Sequence, residues 1–147
     1  FLLGGAGWEP SQLPNNVRAI GHVGTAEHNR FNCSATAVVN IARSSMASNG
    51  YSPATRVFEA AGAGACVITD AWEGINSFLQ PGTEILVARD TRDVVEHLDD
   101  LTPERAEEIG TRARARVLAE HTYERRANQV SRLLSDLVAR RRGGRAA

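Results

Sequence analysis

The sequence predicts an α/β fold: a parallel sheet flanked by helices, ending in a helical C-terminal tail. Three observations lead there. Short apolar runs alternate with helical patterns through the first part of the chain. Those runs are nearly continuous in apolar character, as strands buried on both faces must be. The last third shows helical periodicity only. The 147 residues, 42% of them apolar, are enough for one domain with a substantial core.

Taken in order, FLLGG (1–5) and VRAIG (17–21) are the first two expected strands, a helix occupies about 25–34, and TAVVNIA (36–42) is the third strand. A helix follows over 52–63, with Ser52 as N-cap and Pro53 as its first residue. The run AAGAGA (60–65) carries no large side chain, so this helix should approach the sheet closely and end at Gly62 or Gly64 in a left-handed conformation. Then come the strand CVITD (66–70), a short helix near 75–79 and the strand EILVA (84–88).

The helical third divides at its caps. Asp90 and Asp93 frame one N-terminus, after which Val94, Val95, Leu98 and Leu101 share a face; Thr102 and Pro103 start a second helix. Beyond 121–123, Val130, Leu133, Leu134, Leu137 and Val138 recur at i, i+3, i+4, i+7 and i+8, which gives one docking face whose partner lies inside or outside this chain. The domain is expected to run over 1–142. Residues 143–147 close the ARRRGGRAA end as a solvated cationic tail, with nucleic-acid or lipid binding as the competing reading.

Charge and cysteine content narrow the function classes. Seventeen acidic residues balance 17 basic ones, all of them Arg, so no global field favours nucleic acid or an anionic membrane, and anion binding has to be local. The absence of Lys from an Ala- and Arg-rich chain suggests a bacterial source with a G+C-rich genome. Cys33 and Cys66 stand in apolar surroundings without metal-ligand spacing, as expected for a reduced, cytoplasmic protein. No apolar run approaches the ~20 residues of a membrane span. The chain begins FLLGG rather than with Met, which suggests a piece of a longer protein.

The stretch NGYSPATRVFEAAGAG (49–64) carries the most chemistry. The Asn49-Gly50 turn lets backbone approach a ligand, and the free amides of a first helical turn attract anions. Arg56, one turn in, offers a planar, permanently charged fork suited to phosphate. Glu59 follows three residues later; its carboxylate would repel phosphate but accept hydrogen bonds from the vicinal hydroxyls of a sugar. Together they suit a nucleoside diphosphate, with an ordinary Arg56–Glu59 surface ion pair as the competing reading.

From VVNIARSSMASNGYSPATRVFEAAGAGACVITDAWEGINSFLQPGTEILVA, and from HTYERRANQV near the C-terminus, the chain resembles the C-terminal half of GT-B fold glycosyltransferases. The spore-protein CgeB/YkvP-like glycosyltransferase family is the most similar. The resemblance implies a Rossmann-like, nucleotide-sugar-binding domain that is half of a two-domain enzyme, with an N-terminal acceptor-binding domain missing from these residues. It implies that Glu59 holds the ribose. Retaining enzymes of the wider group often carry a second glutamate eight residues earlier, where this chain has Tyr51, so retention or inversion is not carried over. Gly4 and Gly5 resemble the glycine turn that faces the diphosphate, and IGHVG (20–24) the loop around the base, with Gly21, His22 and Val23 as contacts. Arg43 is placed to neutralise phosphate.

The implied donor site is therefore Gly4, Gly5, His22, Arg43, Gly50, Tyr51, Ser52, Arg56 and Glu59, with no catalytic residue assigned. No metal or other cofactor is expected, because the chain has no Asp-x-Asp and the fold supplies amides and Arg instead. A sugar-nucleotide epimerase half and a non-enzymatic nucleotide-sugar-binding or structural domain are the alternatives.

Overall fold

The computed structural model describes residues 1–5 and 7–143. Its strands are β1 (Leu2–Gly4), β2 (Arg18–Gly21), β3 (Val38–Asn40), β4 (Val67–Asp70) and β5 (Leu86–Ala88). Its helices are α1 (His28–Cys33), α2 (Ser44–Asn49), α3 (Thr55–Ala63), α4 (Thr91–Asp100), α5 (Pro103–Glu120) and α6 (Tyr123–Gly143). Every strand pair is parallel, in two ladders: β1 with β2, and β3-β4-β5 in that order. All five expected strands are present, though shorter than the apolar runs that announced them.

The core lies around β4. Val67, Ile68 and Thr69 are fully enclosed, so the strand has no solvent face and no alternation. Val57, Ala60 and Ala61 of α3 cover one side, with Leu79 and Ile85 in the same cluster. Cys66 is buried with Ala106 and Ile109 of α5 on the other, and burial pushes its thiol up to about 11 despite the opposing charge of Arg105. Cover over the β1–β2 ladder is thinner: Phe1, Leu2 and Ile20 are exposed.

Local chemistry ends the helices largely as expected. Asp90 caps α4 by accepting from the Arg92 and Asp93 amides, and Thr102 caps α5 by accepting from the Arg105 amide ahead of Pro103. Gly64 ends α3 in the left-handed conformation, φ 89°. Across the small-residue run of α3 lies not only the sheet but α5, whose Ala106, Ile109, Gly110, Ala113 and Val117 form a buried seam. The 25–34 helix is divided, a 3-10 turn at Thr25–Glu27 followed by α1. The sequence reading did not anticipate α2 or the 3-10 turn at Pro10–Gln12. The ARRRGGRAA reading concerns a tail whose residues 144–147 lie outside the described residues.

Candidate functional site

In a parallel sheet all strands deliver their loops to one edge, and here side chains and amides bind those loops together. The Ala42 amide, beyond β3, donates to Asp70 Oδ1 at the end of β4 at 2.8 Å. The Ala71 amide donates to the Ala88 carbonyl at the end of β5 at 2.9 Å. Beneath them the buried Asn40 amide donates to Thr69 Oγ1 at 3.1 Å. The loop into α3 is fastened to the loop after β4 by the Tyr51 amide, which donates to the Glu73 carbonyl at 2.7 Å.

That last contact corrects the helix start. Gly50 (φ 63°, ψ 168°) and Tyr51 (φ 47°) both have positive φ, and the chain is not helical until after Ala54, the N-cap, which is extended at φ −65°, ψ 141°. Ser52 is therefore not the cap, and Pro53 precedes the helix rather than opening it. The tie to Glu73 holds residues 51–54 off the helical path. Ala54 has no side-chain oxygen, so no side chain caps α3. The Val57 amide turns back to the Ala54 carbonyl at 3.0 Å; the Thr55 and Arg56 amides meet no acceptor among the described residues. The anion-attracting end of the helix survives, moved two residues along, from a cap at Ser52 to one at Ala54.

Arg56 and Glu59 are both exposed on α3. They do not form the surface ion pair weighed against a binding role: the basic side chain that Glu59 meets among the described residues is the His28 imidazole, Nδ1 to Oε2 4.0 Å. His28 in turn donates from Nε2 to the Val23 carbonyl at 3.1 Å. One imidazole thus spans the loop after β2 and Glu59. The opposite flank of α3 is anchored by aromatic packing: Phe58 meets Phe78 and His121 at centroid distances of 5.7 and 5.4 Å. Arg126 donates to His121 Nδ1 at 2.7 Å, and His121 Nε2 donates to the Phe78 carbonyl at 2.9 Å. The HTYERR segment is thus a structural clasp for the helix that carries Arg56 and Glu59.

The remaining site candidates divide between packing and exposure. A Cβ on Gly4 would stand 2.8 Å from Val23 Cγ2 and 3.3 Å from the Phe31 ring, so Gly4 serves the close approach of β1 to α1. Gly5, at φ 126°, donates its amide to the Gly21 carbonyl at 2.7 Å and joins the two loops assigned to diphosphate and base. His22 and Arg43 are exposed, and neither has a hydrogen bond or ion pair from its side chain among the described residues. Arg43 holds the N-cap of α2 with its backbone. Sequence reasoning missed His28 and Glu73, whose partners are distant in the chain. Among the described residues no group of three His, Cys, Asp or Glu side chains is placed to hold a metal ion, and no helix is long and apolar enough to cross a membrane.

The fold and this edge can be set beside known proteins. The chain is similar to sucrose-phosphate synthase from Thermosynechococcus elongatus, with a TM-score of 0.68 and 21% identity over 94% of this chain and 38% of that one. It is also similar to AviGT4, a glycosyltransferase involved in avilamycin A biosynthesis, with a TM-score of 0.55 and 22% identity over 91% of this chain and 43% of that one. It spans less than half the length of either, and at these identities the likeness establishes the fold, an α/β domain of parallel strands flanked by helices. No curated protein matches. The model of the family described as glycosyl transferase-like matches residues 1–132. With nine-tenths of the length matched and the parallel fold in place, the chain belongs to the glycosyl transferase-like family.

Proposed function

We propose that the chain is the donor-binding half of a cytoplasmic glycosyltransferase, taking a sugar from a nucleoside-diphosphate sugar, with an acceptor-binding domain completing the enzyme. The observation that carries this is the uncapped N-terminus of α3, with Arg56 in its first turn and Glu59 one turn on, at the carboxyl edge of the sheet of a glycosyl transferase-like chain. The finer resemblance to the CgeB/YkvP-like family supports the same assignment.

In the reaction the bond from the anomeric carbon to the diphosphate oxygen breaks. A bond to an acceptor oxygen forms, and the acceptor proton passes to a base. Negative charge grows on the leaving nucleoside diphosphate, so donors that tighten on it in the transition state lower the barrier. The Thr55 and Arg56 amides and the Arg56 guanidinium, with Gly5 and Arg43 as further contacts, are in our reading the groups that meet this charge, without a metal. Glu59 accepts from the ribose hydroxyls, beside a base enclosed by residues 21–23. The general base is assigned to the acceptor domain, so the chain alone binds donor and turns over poorly.

The direct test is thermal unfolding with matched ligands. UDP, or the diphosphate of the preferred base, should raise the melting temperature more than the corresponding nucleoside does. Equal shifts would remove the diphosphate site. The ribose role has its own test by titration calorimetry. Glu59→Gln should weaken nucleotide binding by about 1 to 3 kcal/mol, the magnitude of a lost charged hydrogen bond, with the fold unchanged. Unaltered affinity would return Glu59 to a surface role beside His28.

A further inference from the structure

We infer that Asp70 is a positioning residue for the transfer reaction, holding the turn that presents Arg43 to the diphosphate; the assignment rests on the donor site proposed above. Two polar side chains stand inside the packed sheet: Asn40 at the end of β3 and Thr69 in β4 are both buried. A polar group taken out of water is tolerated where it is hydrogen-bonded, and a fully bonded network fixes one arrangement of its members. Here the donors all run one way. Asn40 Nδ2 donates to Thr69 Oγ1 at 3.1 Å, and Thr69 Oγ1 donates to Asp70 Oδ1 at 3.3 Å. The same Oδ1 accepts from the Ala42 amide at 2.8 Å. The relay therefore begins inside the sheet and ends on the backbone of the loop after β3.

Arg43 is the next residue, and its backbone is held from both sides. Its carbonyl accepts from the Met46 and Ala47 amides at 2.8 and 3.0 Å and opens α2, while the amide just before it is fastened to Asp70. Its side chain is exposed and makes no ion pair with Asp70 or with any other described residue. Asp70 thus fixes where the guanidinium starts without neutralising it, and a cation on a fixed backbone has less freedom to lose when it closes on phosphate. What the relay uses of Asp70 is one acceptor oxygen rather than its charge. A negative charge beside a diphosphate opposes binding. The geometry and the charge of Asp70 therefore act in opposite directions, which separates a positioning role from direct contact with the donor.

The experiment titrates UDP, GDP, ADP and dTDP into the full chain and into its Asp70→Asn, Asp70→Ala, Arg43→Ala and Asp70→Ala/Arg43→Ala variants. For the preferred diphosphate, Arg43→Ala and Asp70→Ala should each bind about tenfold more weakly than wild type. Asp70→Asn keeps an oxygen for the Ala42 amide and should bind as tightly as wild type or about twofold tighter. In the double variant the loss of Arg43 should cost about twofold or less beyond Asp70→Ala, because residues of one network do not act additively. Should Asp70→Ala not fold, Asp70→Glu takes its place: it keeps the charge, displaces the oxygen by one methylene, and should show the same loss and the same coupling. Weakened binding by Asp70→Asn would make Asp70 a direct contact. No loss in Arg43→Ala, or an undiminished cost of Arg43→Ala in the double variant, would mean that Asp70 positions nothing. Each of these results overturns the assignment while leaving the diphosphate site standing. Failure of every diphosphate to bind the wild type overturns the donor reading itself, and this assignment with it.

Discussion

Gly110→Ala should destabilise the chain by about 2 to 4 kcal/mol, a large part of the ~5 to 15 kcal/mol that holds a domain together. By helix propensity alone the change would help, since alanine is favoured over glycine inside a helix by roughly 1 kcal/mol. Position decides otherwise. Gly110 lies mid-way along α5, where a Cβ would meet the carbonyl of Gly64 in overlap and stand 2.8 Å from its carbon and 3.1 Å from the Ala65 carbonyl carbon. These are backbone atoms at the left-handed turn that ends α3, so no rotamer relieves the contact. Either α5 lifts and opens the seam of Ala106, Ile109, Ala113 and Val117, or the Gly64 turn distorts ahead of β4. Gly62→Ala is the matched control: its Cβ would reach Val117 Cγ1 at 3.5 Å, an ordinary contact, and the variant should be neutral or slightly more stable. Denaturant midpoints for the two variants check this. A Gly110→Ala midpoint equal to wild type would mean that α5 does not press on the end of α3 as described.

The same residue shows where the sequence stops being readable. Gly110 in EEIGTRARA looks like an isolated helix defect, and only the carbonyl of Gly64, 46 positions away, explains it. Features closed by local chemistry were legible: Asp90 and Thr102 cap with their own oxygens within three residues, and Gly64 ends α3 because no side chain opposes a left-handed turn. The strands were legible from apolar runs but overlong, since hydrogen bonding stops where the chain turns into loops. Ser52 misled because its cap-like character is local while the force that overrides it is not. The Tyr51 amide binds Glu73, 22 positions on, and keeps the chain out of the helix until after Ala54. Helix α2 escaped notice because SSMASN is too short and too polar to show a period. Within the site, Arg56 and Glu59 were readable as helix positions, but the His28 bridge from Val23 to Glu59 joins three separate elements and has no signature in spacing.

The largest effect is expected at α6, where one-sided periodicity meets no partner among the described residues. Val130, Leu133, Leu134, Leu137 and Val138 remain 48 to 63% exposed. Full burial of such a side chain is worth roughly 1.5 to 3 kcal/mol, so covering the exposed half of each would contribute about 5 kcal/mol over the five. That much apolar surface in one stripe marks an interaction face. The occupant we propose is the acceptor domain, because the chain spans only 38 and 43% of the similar enzymes' lengths while its described fold is already organised around its own sheet. The 147-residue chain alone should therefore self-associate through this stripe. Changing Leu133, Leu134 and Leu137 together to Gln should yield a monomer in sedimentation, with a melting temperature that no longer rises with protein concentration as that of the wild type should. Within a longer protein that contains the acceptor domain, the same triple change should instead loosen the two halves and lower activity without abolishing nucleotide binding, since the α3 entrance does not depend on α6's outer face. If the isolated wild-type chain sediments as a monomer at high concentration and the triple variant behaves identically, the stripe has no energetic reason to be covered, and the half-enzyme assignment loses its main support from packing.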